Sequence, residues 1–185
     1  MSRKLLHFCI TLTLLPTAVL QAQVKNDEYI NSAVEGAPEA ISSQAAVVRL
    51  DPGGKTSELR KGTNGFTCAV MPDGSLAPVC ADEHGWKWLV SAFSKQPKPA
   101  NTQPGIAYMA KGGIHYEMPD GKIVMAASAQ TKEVKEPPHW MILWPFDPAK
   151  SGLPTRPNAG GAYVMFEGTP FAHLMIYQDP KMLEK

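Results

Sequence analysis

No stretch of the 185-residue chain approaches the roughly 18 consecutive apolar residues that a membrane span needs. A basic excess is missing too: 18 Lys and Arg stand against 17 Asp and Glu, which leaves no electrostatic footprint for nucleic acid. The usual catalytic signatures are absent. There is no G-x-S-x-G elbow, no H-E-x-x-H pair, no phosphate-cradling glycine loop and no dinucleotide fingerprint. The doublets Gly53-Gly54, Gly112-Gly113 and Gly160-Gly161 lack the following helix of a phosphate site and read as turns. No N-x-S/T sequon occurs, and the scattered carboxylates offer no obvious acid–base pair. What remains, 44% hydrophobic and 19% charged residues, is the composition of a globular chain of one domain. A disordered tail would have fewer apolar residues and a larger charge imbalance.

The first residues read as an export signal. Arg3 and Lys4 give a positive start, and Leu5 to Leu15 form an apolar stretch interrupted by His7, Thr11 and Thr13. Pro16 breaks the helix, and Ala22 offers a small residue for cleavage before Gln23. Residues 1–22 are therefore assigned to the signal and 23–36 to a flexible polar lead. Residues 37–185 form a single α+β domain, periplasmic or secreted, with no stable membrane insertion once the signal is gone. Cys9 lies inside the apolar stretch and is a poor site for a lipid anchor. Loss of Arg3 and Lys4 turns an excess of one basic residue into an excess of one acidic residue, so nothing steers the mature chain to polyanions.

Cys68 and Cys80 then remain, and two cysteines in an exported chain point to a disulfide. Between them Pro72-Asp73-Gly74 is turn chemistry, with Pro presetting one position and Gly accepting positive φ. Phe66 to Val70 and Leu76 to Cys80 are expected to run back beside each other as a hairpin. The spacing is far from C-x-x-C, which makes the bridge a structural staple and not a redox centre.

Pro38 suits the first turn of a helix running to about Ala45, followed by a strand from Ala46 to Leu50. Asp82 is a candidate N-cap, and Trp86, Leu89, Val90 and Phe93 fall at helical spacing up to about Lys95. Beyond the proline-rich connection Lys95 to Gly105 the pattern changes to strands: Ile106–Ala110, Ile114–Met118, Lys122–Ala127, His139–Trp144, Ala162–Phe166 and Phe171–Tyr177. Short neighbouring strands joined by tight turns imply one antiparallel sheet covered by one or two helices. In the last hairpin, Val164 is expected opposite His173, within one residue of register, so that His173 shares an apolar face with Val164, Phe166 and Met175.

One coincidence bears on chemistry. His139-Trp140-Met141-Ile142 and His173-Leu174-Met175-Ile176 share the pattern His-x-Met-Ile within strand-like segments. Residues two apart on a strand point to one face, so each imidazole stands beside its thioether. If the strands are neighbours, His139, Met141, His173 and Met175 converge as a donor set for copper, above all Cu(I), because thioether sulfur is soft and imidazole accepts both oxidation states. Trp140 and Trp144 lie on either side of Met141 in sequence, and an indole face beside a cation is favourable. The plain counterpart is packing, since methionine fills irregular cores and a buried histidine often bonds to backbone. His115 and Met118 have odd spacing and add nothing to such a cluster, and His84 reads as a surface residue.

Several segments together resemble a group of uncharacterised bacterial exported proteins. They are Asn64-Gly65-Phe66-Thr67-Cys68 with Pro78-Val79-Cys80 and Asp82; Tyr108-Met109 with Gly112-Gly113; Pro138-His139 with Met141-Ile142; and Gly160 to Met165 leading into Gly168 to Met175. The resemblance covers the chain from about Pro38 onward and implies export but no catalytic residue. Three functions stay open. One is a small binding module for a metal ion, copper first, or for an apolar ligand. The second is an enzyme using His139 or His173 as acid or base, and the third a structural or interaction protein of the envelope.

Overall fold

Eight strands pair side by side in the order Ala162–Met165, His173–Ile176, His139–Leu143, Gly105–Met109, Pro78–Ala81, Thr67–Val70, Ala46–Leu50 and Thr56–Arg60, and the local sequence explains most of them. The structure, a computed structural model, describes residues 17–183. Residues 1–16, which hold most of the expected export signal and Cys9, lie outside the described residues.

The strands of this sheet are β1 (Ala46–Leu50), β2 (Thr56–Arg60), β3 (Thr67–Val70), β4 (Pro78–Ala81), β5 (Gly105–Met109), β9 (His139–Leu143), β10 (Ala162–Met165) and β11 (His173–Ile176). All neighbours are antiparallel except β1 and β3, which run parallel. A second sheet of three strands follows the order β7-β6-β8, with β6 at Gly113–Glu117, β7 at Ile123–Val124 and β8 at Lys132–Glu136. Its chain departs from β5 and returns into β9, and those two strands are themselves hydrogen-bonded neighbours. The class is α+β and mainly antiparallel, as the turn chemistry implies, but with two sheets and one parallel pair where a single antiparallel sheet was expected. Strands β2 and β8 carry too few apolar residues to be read from the sequence.

The hairpin β3–β4 places Cys68 directly opposite Cys80, and the two form a disulfide with both residues fully buried. Along β4 successive side chains alternate faces. Cys80 joins a cluster with Val47, Cys68 and Val70, whereas Val79 and Ala81 join the main core on the other side.

Helix α1 (Thr17–Val34) covers the cysteine face. Tyr29, Ile30, Ala33 and Val34 pack there, Ala33 with no exposed surface. The Tyr29 hydroxyl accepts from Val70 N at 3.0 Å and donates to Val48 O, and Arg49 lies 4.3 Å above its ring. Residues 23–36 are thus no flexible lead. Their apolar positions 29, 30, 33 and 34 recur at helical spacing. The helix expected from Pro38 to Ala45 is a single turn, α2 (Glu39–Ser42).

Helix α3 (Glu83–Phe93) lies on the opposite face, over β4, β5 and β9. Asp82 caps it as expected: one carboxylate oxygen accepts from Gly85 N at 2.7 Å and the other from Ile106 N at 3.0 Å. The buried stripe is rotated from the expected one, with Trp88 and Leu89 inward and Trp86 and Phe93 only half-buried. Close approach is the cause. A Cβ on Gly105 would fall 2.1 Å from Gly85 N, so two glycines let the helix backbone settle against β5 and aim Trp88 at the sheet. A further turn, α4 (Pro148–Ser151), sits in the connection to β10. None of the described helices is long and apolar enough to cross a membrane.

Candidate functional site

The α3 face of the large sheet carries an ordered array of histidine and methionine. Met109 on β5 is directly opposite His139 on β9. Met141 on β9 is directly opposite Met175 on β11, and His173 on β11 is opposite Met165 on β10. All six side chains are buried, at most 6% exposed. The expected adjacency of the two His-x-Met strands is therefore present, and the pairs share one face.

The register sorts them differently from a single four-donor spot. With Met141 facing Met175, the antiparallel run puts His139 and His173 on opposite sides of the methionine pair, four residue spacings apart, about 13 Å of strand. Each histidine has its own cross-strand methionine instead: Met109 for His139 and Met165 for His173. Val164 lies opposite Leu174, not His173, because Phe166 adopts φ 58° and opens the turn one residue early. Trp140 has the other parity and points away from the array, and Trp144 lies beyond the end of β9. The indole beside a histidine is Trp88 of α3, 4.8 Å from the His173 ring and edge-on to it.

Both imidazoles are held in one tautomer. A carbonyl can only accept, so Nδ1 of His139 donates to Pro137 O at 2.8 Å and Nδ1 of His173 donates to Phe171 O at 3.0 Å. In each ring Nε2 then carries a lone pair. Burial pushes both below the usual histidine value, His173 to about 4, so both are neutral at pH 7. Nε2 of His139 is fully buried and has no hydrogen-bond partner.

What faces that nitrogen is a carboxylate. Glu136, at the end of β8 and 9% exposed, places Oε2 at 3.7 Å from His139 Nε2. Its Oε1 is satisfied three times over, by His115 Nδ1 at 2.9 Å, the Tyr163 hydroxyl at 3.1 Å and the Tyr177 hydroxyl at 3.3 Å. His115 is clamped between two carboxylates, its Nε2 donating to Glu117 Oε1 at 2.9 Å. Carboxylates accept only, so His115 is an imidazolium. Desolvation pulls it down, but the hydrogen bonds and charges of Glu136 and Glu117 outweigh that and raise it above its ordinary value. Glu136 is the mirror case: burial lifts its carboxyl, and the His115 hydrogen bond with the nearby imidazoles and Tyr163 brings it below the ordinary value. Burial raises Tyr163 and Tyr177, which stay protonated donors.

The histidine and methionine array lines one cavity of about 680 Å³ between the large sheet, α3 and the small sheet. Six methionines face it: Met71, Met109, Met125, Met141, Met165 and Met175. With them are His115, His139, His173, Glu136 and the ring of Trp88, whose Nε1 is also buried and unpartnered. No serine, threonine or cysteine is among the described residues lining it. Among the described residues no group of three His, Cys, Asp or Glu is placed to hold a metal ion, so a metal seat here has to draw on thioether sulfur.

Sequence reasoning found His139, Met141, His173 and Met175 but missed Glu136, His115, Met109 and Met165. The available signal for Glu136 is weak: it shares strand parity with Val134 and stands three residues before His139. The spacing of His115 from Met118 carries no signal, because its partners are the carboxylates of Glu136 and Glu117. Compared with known proteins, the chain matches no family model, no curated protein and no solved structure at a significant level.

Proposed function

We propose that this is an exported binding module that takes a small, mainly apolar ligand into the methionine-lined cavity and meets its electron-poor group at His139. The observation that carries the reading is the pair His139 Nε2 and Glu136 Oε2. Two acceptors 3.7 Å apart in a buried place, one of them without any partner, are unfavourable until a donor or a cation comes between them. The volume falls in the range of small-molecule sites, and methionine side chains adapt to varied shapes. Export is supported by the charged, apolar start of the chain and by a disulfide, which persists in oxidising compartments.

Acid–base catalysis is the second reading, favoured by the same carboxylate–imidazole contact. In a catalytic triad, however, the carboxylate holds Nδ1 and leaves Nε2 free as base. Here backbone holds Nδ1, and a proton taken up by Nε2 would be trapped on Glu136. Among the described residues lining the cavity there is no serine, threonine or cysteine for His139 to activate.

The test uses 2-naphthol and 2-methoxynaphthalene, alike except for the hydroxyl donor, with methyl-¹³C-methionine NMR as the readout. The cavity methionines are expected to shift on binding while the exposed Met182 stays still. Naphthol should bind about tenfold tighter, the worth of one hydrogen bond to a buried acceptor. His139→Leu should erase that preference. Equal binding of both probes to the unaltered protein, or shifts at Met182 alone, would overturn the reading.

A further inference from the structure

We infer, on the reading of this cavity as a binding site, that its inner end is a seat for copper(I), held by His139 Nε2 and the thioethers of Met109 and Met141, with Glu136 beside it as counter-charge. Three independent placements meet there. Met109 faces His139 across the β5–β9 ladder, and Met141 stands two residues along β9 on the same face, so both thioether side chains are the neighbours of one imidazole on that face. The imidazole presents a lone pair, because backbone has fixed its proton on the other nitrogen, which is how histidine ligands are commonly oriented for a metal. The glycine at position 113 keeps the space open: a Cβ there would stand 3.6 Å from Glu136 Oε2 and 3.8 Å from Met109 Sδ, and would press on the Met109 methyl at 2.9 Å.

The donor chemistry selects the ion. Thioether sulfur with a neutral imidazole suits Cu(I) and not a hard divalent cation, which would call for several oxygens. A single positive charge entering this place meets a buried carboxylate whose His115, Tyr163 and Tyr177 hydrogen bonds all fall on its other oxygen. His115, already an imidazolium bonded to Glu136 and Glu117, is spoken for and is not a ligand. The opposite end of the array, His173 with Met165 and Met175, lacks the carboxylate. Its ring is enclosed edge-on by Trp88 at 4.8 Å and Phe166 at 5.5 Å. The two ends share a tautomer and a cross-strand methionine, and they differ in the carboxylate contact that a cation needs.

The experiment uses Ag(I), a redox-inert ion of the same preferences, and Cu(I) in competition with bicinchoninate, on the full chain carrying Cys9→Ser so that no free thiol competes. One equivalent should shift the Met109 and Met141 methyl signals and His139 Nε2, leaving Met165, Met175 and Met182 in place. Met109→Leu with Met141→Leu, which preserves apolar volume, should weaken Cu(I) binding at least tenfold while the unfolding midpoint stays close to that of the parent. Binding unchanged in that variant, or shifts centred on Met165 and Met175, would overturn the seat. Absence of any silver shift while 2-naphthol still moves the cavity methyls would overturn the seat and leave the cavity reading standing; failure of both probes would overturn both.

Discussion

His173 is neutral in the folded protein because Trp88 and Phe166 close around its ring and the Phe171 carbonyl holds its one proton. Its folded value is about 4, against roughly 6.5 for an unfolded chain. Between those two values the unfolded chain binds a proton that the folded one refuses. Stability should therefore fall as pH drops from about 6.5 to 4, by something on the order of 3 kcal/mol in total. His139 acts in the same direction. His115 acts in the opposite one, its contribution complete below about 6.5 and lost as pH rises through its raised value. Replacing His173 with Leu removes one titrating group, so the stability lost between pH 7 and pH 4.5 in urea unfolding should shrink. Parallel losses in variant and parent would contradict the burial argument. The histidines were legible in the sequence because strand alternation alone puts His139 with Met141 and His173 with Met175. Glu136 was not, because its burial comes from His115, 21 residues earlier, and from Tyr163 on β10 and Tyr177 just past β11. No local pattern in Lys132–Glu136 announces partners at that distance.

Among the elements, α3 matters most to the cavity, since it brings Trp88 over His173 and supplies one wall. Asp82 fastens it twice, to its own first turn and to the start of β5. Asp82→Ala should cost on the order of 2–3 kcal/mol, a lost cap together with a strand N–H left without its acceptor. Asp82→Asn has only one side-chain oxygen and should fall between alanine and the parent. Urea unfolding followed by tryptophan fluorescence measures the order, and equal stability for all three chains would refute the double fastening. The helix itself could be read from its apolar spacing and its cap. Which side of it faces inward could not, because that depends on Gly85 meeting Gly105, 20 positions later, and the sequence offers no hint that the two backbones touch. The same limit explains the hairpin register, where the positive φ of Phe166 shifts the pairing by one residue.

For the whole molecule, the disulfide clips the middle of the large sheet, since β3 and β4 lie between the β1–β2 edge and the strands of the cavity. Closing a loop of 12 residues' separation should stabilise by about 2–3 kcal/mol. Both cysteines are fully buried, so dithiothreitol should reduce them slowly in buffer and quickly in urea. Rapid reduction of the native protein would show that the sheet opens there. The hairpin and its bridge were readable from a proline–glycine turn between two cysteines. The parallel pairing of β1 with β3 was not, because strand partners separated by an intervening strand leave no mark on local composition.

The small sheet begins and ends at two strands that already hold each other. The whole run from Ala110 to Pro138 is in effect an oversized turn on the β5–β9 hairpin. A two-residue turn in its place would leave every ladder of the large sheet intact while taking away Glu136, His115 and one wall of the chamber. Floor and canopy are thus separable pieces of chain. Swapping the canopy alone would change what the same methionine floor faces.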